Sequence, residues 1–446
     1  MDNKKNIKPG LSILVSAFFF CSSFAQQTGS YLQNGMNKND EGDYKEAILE
    51  FDKAIQQSPY SVEAYLNRAY SKAESKDYEA AIQDYKRVIE LNPKNADAYC
   101  GIGMAENMLE NLQDAVINLS KAIELDSTQE KAYSTRGIVR HDLHDKQGSL
   151  ADYNKAVQLD STDLKCRYNR GILKYDMGDI KGALADFNFG IKYNPAFAEA
   201  YLNRGFIRNE ELSDYKGAVE DFTMLIKLSP DYSLGFLNRG KAYENLNDYK
   251  SAIDDYTKAI TLSPDEAHYY AKRAHAREHQ KDPEGAKADE KRALELFPAT
   301  AEGYFDKAKM ELDMMDYAGA VADNTKAIQL QPDYAMAYNN RGWAKFEMKK
   351  FPAALADLNK SIELDDKDWV AYDSRQEIKF GMNDWKGCIL DCEKAIALNS
   401  NCSNSYLLKG EAEYKQGNVK QACKDLNKAL ELGVPEAANF ISKYCK

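Results

Sequence analysis

Proline and glycine are scarce, at 11 and 25 in 446 residues, and spread so thinly that little room is left for linkers. Positive charge is in deficit. Fifty-nine lysines and arginines face 70 carboxylates, and the net charge of −11 disfavours nucleic-acid phosphate and an anionic membrane surface alike. Beyond the N-terminus no apolar run approaches the roughly 20 residues that cross a bilayer. Histidines number only five, and no Ser/His/Asp order, phosphate loop or catalytic carboxylate pair stands out. Tyrosine, by contrast, is plentiful at 29. With 44% apolar and 29% charged residues the chain is set to fold rather than remain disordered.

Residues 1–25 read as a signal peptide. Lys4, Lys5 and Lys8 form its positive end, Leu11 to Phe20 its apolar run, and Ser23-Phe24-Ala25 supplies small residues where a signal peptidase inspects them. A run of about ten residues is too short for a membrane anchor. Phe18-Phe19-Phe20 is too bulky for lipid attachment at Cys21. The expectation is an exported chain, periplasmic or secreted, with no membrane insertion once this segment is removed.

Self-similarity then dominates the sequence. Ala47, Ala81, Ala115, Ser149, Ala183, Ala218, Ala252, Ala286, Ala320, Ala354, Cys388 and Ala422 recur every 34 residues, save one step of 35. Twelve units result: 28–61, 62–95, 96–129, 130–163, 164–197, 198–232, 233–266, 267–300, 301–334, 335–368, 369–402 and 403–436. Position 4 of the unit is tyrosine ten times, as at Tyr31 and Tyr65, which accounts for a third of the tyrosines. Position 8 is Gly or Ala except at Gln376, position 24 is usually aromatic or leucine, and position 32 is proline seven times. Each unit carries two apolar helical stripes, A and B, separated by a turn that often reads Asp-Tyr. Small residues at 8 and 20 let the two helices approach, bulky ones at 4 and 24 fill the gaps, and the proline stops helix B. Residues 437–446 place Ala437, Phe440, Ile441 and Tyr444 at helical spacing and read as a capping helix.

This register resembles the tetratricopeptide repeat over nearly all of the expected mature chain. The resemblance implies an all-α fold, a right-handed α-α superhelix with a C-terminal cap, and a non-catalytic scaffold for protein or peptide partners. It further implies that the A helices line a concave groove, with positions 2, 5, 6, 9, 12 and 13 facing into it. Position 6 would then form an asparagine ladder: Asn67, Asn169, Asn203, Asn238 and Asn340, with Thr135 in the same row. Position 9 is apolar in the first six units, including Met104, Ile138, Ile172 and Phe206, and largely polar afterwards. The expectation is an extended partner segment on units two to seven, its backbone held by the asparagines and its side chains by the position-9 row. Two readings stay open for the asparagines, groove contacts or helix packing. A structural or envelope-assembly component contacting itself or wall polymers is the alternative function, and a homo-oligomer is compatible with either.

Position 7 departs from the family's apolar consensus. It is Arg or Lys in ten units, and position 23 on helix B is Asp in the same ten, from Arg68 with Asp84 to Lys409 with Asp425. In the third unit both are neutral, Ile102 and Asn118, and in the first Asn34 faces Glu50. Sites that change together predict a shielded ion pair between helices A and B.

His275-Ala276-Arg277-Glu278-His279 matches an inverted zinc-peptidase signature. It lies inside helix A of unit eight, without the globular domain a peptidase needs, and is read as a coincidence of the repeat. No cofactor and no metal are expected. His141 and His144 read as solvated turn residues. Cys388 and Cys392 read as buried thiols, whereas Cys402, Cys423 and Cys445 lie close enough in sequence for one disulfide of unassigned pairing.

Overall fold

Each unit is punctuated by its own turn chemistry. The residue at position 15 takes a positive φ in all twelve units, from Gly42 at 76° and Lys76 at 66° to Asn383 at 61° and Gly417 at 86°. That left-handed step ends helix A, and a bond such as Asp77 N–H to the Lys72 carbonyl, 2.9 Å, closes the C-terminus. The next residue is usually aspartate, which N-caps helix B. Asp77 accepts from the Ala80 amide and Asp214 from that of Gly217. The recurrent Asp-Tyr pair is therefore a cap followed by the first helical residue.

The protein is described by a computed structural model covering residues 28–445. The expected signal peptide lies outside the described residues. All regular structure among them is helical, beginning with residues 28–40 and Tyr44–Gln57 and closing with Glu436–Tyr444. Unit two is representative, with helix A at Val62–Glu74 and helix B at Tyr78–Leu91. In unit six, Ala198–Glu210 and Tyr215–Leu228, the extra residue of the 35-residue step lengthens the intervening turn.

The helices fall into two compact units of structure that meet in sequence at Pro230 and Asp231. In each, helix A packs on its own helix B, which in turn packs on the next helix A, except that Pro283–Leu296 and Ala301–Asp313 of the second barely touch. Neighbouring A helices also touch, at Val62–Glu74 against Ala96–Met108 and at Trp369–Gly381 against Ser403–Lys415. Among the described residues no pair of successive B helices packs comparably. This is the all-α solenoid the sequence predicts.

The position-20 row is fully buried between helices. Glycine at position 8 leaves room for the large side chain opposite. A Cβ on Gly171 would sit 2.8 Å from Phe187, and one on Gly240 would sit 2.5 Å from Tyr256. Gln376, the exception, faces the small Cys392 rather than a ring, so a large-small pair has been exchanged for a small-large one. At the C-terminus, Phe440 and Ile441 pack with Leu426, Ala429 and Ala437, and a Cys423–Cys445 disulfide ties the last helix to helix B of unit twelve. Cys402 is free and buried, as are Cys388 and Cys392.

Candidate peptide-binding groove

The A helices that would form a groove are held by a charged staple. Arg204 Nε lies 2.9 Å from Asp221 Oδ2 and its NH2 lies 2.5 Å from Oδ1, a bidentate fork onto a carboxylate only 2% exposed. All ten expected pairs form, from Arg68–Asp84 at 2.6 Å to Lys409–Asp425 at 3.7 Å. In the third unit, Asn118 turns instead to Glu106, 2.8 Å away.

Two further links were not foreseen. A second cation at position 11 reaches the same aspartate in seven units, for example Arg208 to Asp221 at 3.0 Å and Lys174 to Asp186 at 2.8 Å. The remaining guanidinium nitrogen also reaches back to helix B of the preceding unit, as from Arg170 to Asn154 at 3.0 Å and from Arg204 to Asn188 at 2.6 Å. Each arginine therefore joins three helices, and the tyrosine at position 4 lies beneath it, 5.6 Å from ring centre to guanidinium for Tyr201 and Arg204. Burial alone would lower the pKa of Arg68, but its bonds to Asp84 and Asp52 raise it further still. These arginines are fully engaged, which argues against their gripping an acidic ligand.

The position-6 row is not uniform. Asn67 and Asn203 donate to the carbonyls one turn back, Glu63 at 2.9 Å and Glu199 at 3.1 Å, and Asn203 also donates to the Tyr168 hydroxyl at 2.8 Å. Their carbonyl oxygens remain available. Asn169 makes no side-chain bond among the described residues, so its whole amide is free. Thr135 is 9% exposed and presents little surface. Asn238 is half-buried and belongs to the second structural unit.

The position-9 row of the first structural unit does reach solvent. Tyr70 is 44% exposed, Met104 40% and Phe206 39%, with Met36, Ile138 and Ile172 half-buried between them. Neighbouring A helices are laterally knitted there. The Tyr175 and Phe206 rings meet edge to face at 6.1 Å, and the Tyr175 hydroxyl donates to Glu211 at 2.9 Å. His141 belongs to this face and not to a turn. It lies in the last turn of helix A of unit four, Glu130–Asp142, and its Nε2 lies 3.2 Å from Asp176 of the next unit. His144 does occupy the turn, at φ 63°.

In the second structural unit the same row is polar. His275 pairs with Glu244 at 2.8 Å, and His279 stacks on Tyr249 at 4.6 Å. No carboxylate or thiol converges with the two histidines as a third ligand among the described residues. The one such convergence found is elsewhere, where donor atoms of Glu130, Asp163 and Cys166 lie within 4.8 Å of one another. Asp163 is already the cap of helix Leu164–Asp176, and burial with Asp163 nearby pushes the Cys166 thiol up to about 12.

A family model described as TPR repeat matches residues 69–107, and models described as tetratricopeptide repeat match 168–233, 233–266, 335–368 and 403–432. No curated protein matches the sequence. Among solved structures, yeast Tom70 is similar at 16% identity, covering 94% of this chain and 99% of that one with a TM-score of 0.48. The Cut9–Hcn1 hetero-tetramer of the APC/C is similar at 13% identity, with 96% and 98% coverage and a TM-score of 0.43. A MamA RS-1 ArsTM double mutant is similar at 19% identity over 37% of this chain and 93% of that one, with a TM-score of 0.36.

Proposed function

The chain belongs to the tetratricopeptide-repeat family, and from that premise we propose that it is a non-catalytic scaffold whose first structural unit holds an extended segment of a partner protein. The observation that carries this reading is the row of solvent-reaching apolar side chains at Tyr70, Met104 and Phe206, continued by Ile138 and Ile172. Contiguous exposed apolar surface on an otherwise charged protein marks an interaction site. Asn169 adds a free amide beside that row, able both to donate to and accept from a peptide backbone.

The scaffold works outside the cytoplasm. The signal-like N-terminus motivates that placement, and the Cys423–Cys445 disulfide supports it, because such bonds persist in oxidising compartments. Among the described residues no helix is long and apolar enough to cross a membrane. Protein partners are the expected class.

Cross-linking the chain in its own cells through a photoreactive side chain at position 104, then identifying the adduct, tests the groove. A reproducible protein adduct that Phe206→Glu eliminates is expected, since truncating an interface hot spot costs about 2 kcal/mol or more. An adduct of unchanged yield in that variant would place the partner elsewhere.

A further inference from the structure

The apolar row has an acidic companion. One turn beyond position 9, position 13 carries Asp40, Glu74, Asp142, Asp176 and Glu210, all exposed, with Met108 the sole interruption in the first structural unit. Residues four apart on a helix share a face, so each A helix but one presents an apolar group and a carboxylate side by side. None of these five carboxylates forms an ion pair with a lysine or arginine among the described residues. Their contacts are neutral donors or histidine: His141 to Asp176 at 3.2 Å and to Asp142 at 3.9 Å, and the Asn209 amide to Glu210 at 2.8 Å. Lys146 comes near but bonds the Asp176 backbone carbonyl, at 3.1 Å, and not its carboxylate.

The contrast with position 11 is informative. There the cations point inward and are consumed by the buried aspartates, whereas the position-13 carboxylates point outward and are not compensated. The pattern also thins beyond the first structural unit, to two acids in six positions. In the second, the same position reads Asn245, His279, Asp313, Glu347, Gly381 and Lys415.

We propose that the segment held by the first structural unit is cationic as well as apolar, an extended peptide that alternates hydrophobic side chains with lysine or arginine. This rests on the groove reading above and adds the partner's chemistry to it. Adjacent packed helices stand about 8–10 Å apart, and an extended chain advances about 3.1–3.3 Å per residue. One helix therefore corresponds to about three residues of partner. The matching segment repeats an apolar and a basic residue roughly every third position, with charge complementarity setting its specificity.

Fluorescence anisotropy on the full-length protein tests this with two labelled peptides, five copies of Leu-Ser-Lys and five copies of Leu-Ser-Glu. The lysine peptide is expected to bind, more weakly as salt rises, and the glutamate peptide is not. Changing Asp142→Asn, Asp176→Asn and Glu210→Gln together removes three exposed charges without touching the core. It should weaken the lysine peptide at least tenfold with an unaltered circular dichroism spectrum. Equal binding of both peptides, or full binding by the triple variant, overturns the cationic assignment. If Phe206→Glu still abolishes binding in that case, the groove reading survives it. Binding of neither peptide, or binding indifferent to Phe206→Glu, sinks both.

Discussion

At the scale of the residue, stability is concentrated in the buried aspartates at position 23. Asp221 receives the fork from Arg204 and a further bond from Arg208. Removing one partner of a buried pair costs about 3–5 kcal/mol. Arg204→Ala should fall at the lower end of that range, because Arg208 still meets the carboxylate. Asp221→Ala should cost more, since it strands two arginines. A double-mutant cycle by urea denaturation should return a coupling of more than about 1 kcal/mol, and simple additivity would show the contact to be energetically idle. The pairing itself was legible in sequence because both positions changed together at Ile102 and Asn118. The position-11 cation was not, since Tyr243, Glu311 and Glu413 break its pattern while the aspartate stays.

Glu311 is where that broken pattern has a consequence. It occupies the cation's place beside Asp323, and burial together with that neighbour pushes its carboxyl up to about 7. One of its oxygens is buried without a hydrogen-bond partner. Between the ordinary carboxylate range and pH 7 the folded chain therefore holds a proton that the unfolded chain has released. Stability contributed here is fully present at low pH and declines as pH rises through that window, by at most about 3 kcal/mol. Glu311→Gln should flatten this slope in melts recorded from pH 5 to 7.5. Glu311→Arg should also raise the melting temperature by restoring the arrangement of Arg208 and Asp221. An unchanged slope in Glu311→Gln would assign the titration to other groups.

At the scale of the element, the helices were legible because the 34-residue register repeats, but the turns were not. Nothing in the side chains at position 15 announces a left-handed residue when Lys76, Met315 and Lys349 stand there as often as glycine. The backbone is dictated instead by the bond that closes helix A and by the cap that opens helix B. Met315 has φ 59° and is 74% exposed, so its side chain contributes little packing to offset the left-handed penalty. Met315→Gly should stabilise the protein by about 0.5–1 kcal/mol, read as a higher urea midpoint at constant slope. In the tenth unit Lys350 stands at the cap position and makes no side-chain cap bond. Lys350→Asp should therefore add about 1 kcal/mol in the same measurement. Should either change lower the midpoint, the turn would be held by contacts other than its backbone geometry.

At the scale of the whole molecule, the main helix–helix contacts among the described residues run between helices near in sequence, as in a repeat array. The repeat register made this architecture readable from sequence, because one unit cannot bury its own apolar face and twelve in register can. The groove was only partly readable. In the position-9 row Met104 and Phe206 are exposed while Ile138 and Ile172 are half-buried, and the asparagine row divides between back-bonded Asn67 and Asn203 and Asn169, which has no side-chain bond among the described residues; both depend on each local rotamer. The clustering at Pro230 supplies a sharper test of locality. A chain ending at Pro230 keeps every A–B pair of the first six units and every charged staple within them, and loses only neighbours that follow. It should fold to a helical, cooperatively melting protein whose final helix pair is its least stable part. Hydrogen exchange should show protection rising from the sixth unit back toward the middle of the fragment. If the same peptide that binds the full chain also binds this fragment with similar affinity, the groove is self-contained. Loss of helical structure throughout the fragment would instead mean that stability is shared globally and that the nearest-neighbour account is wrong.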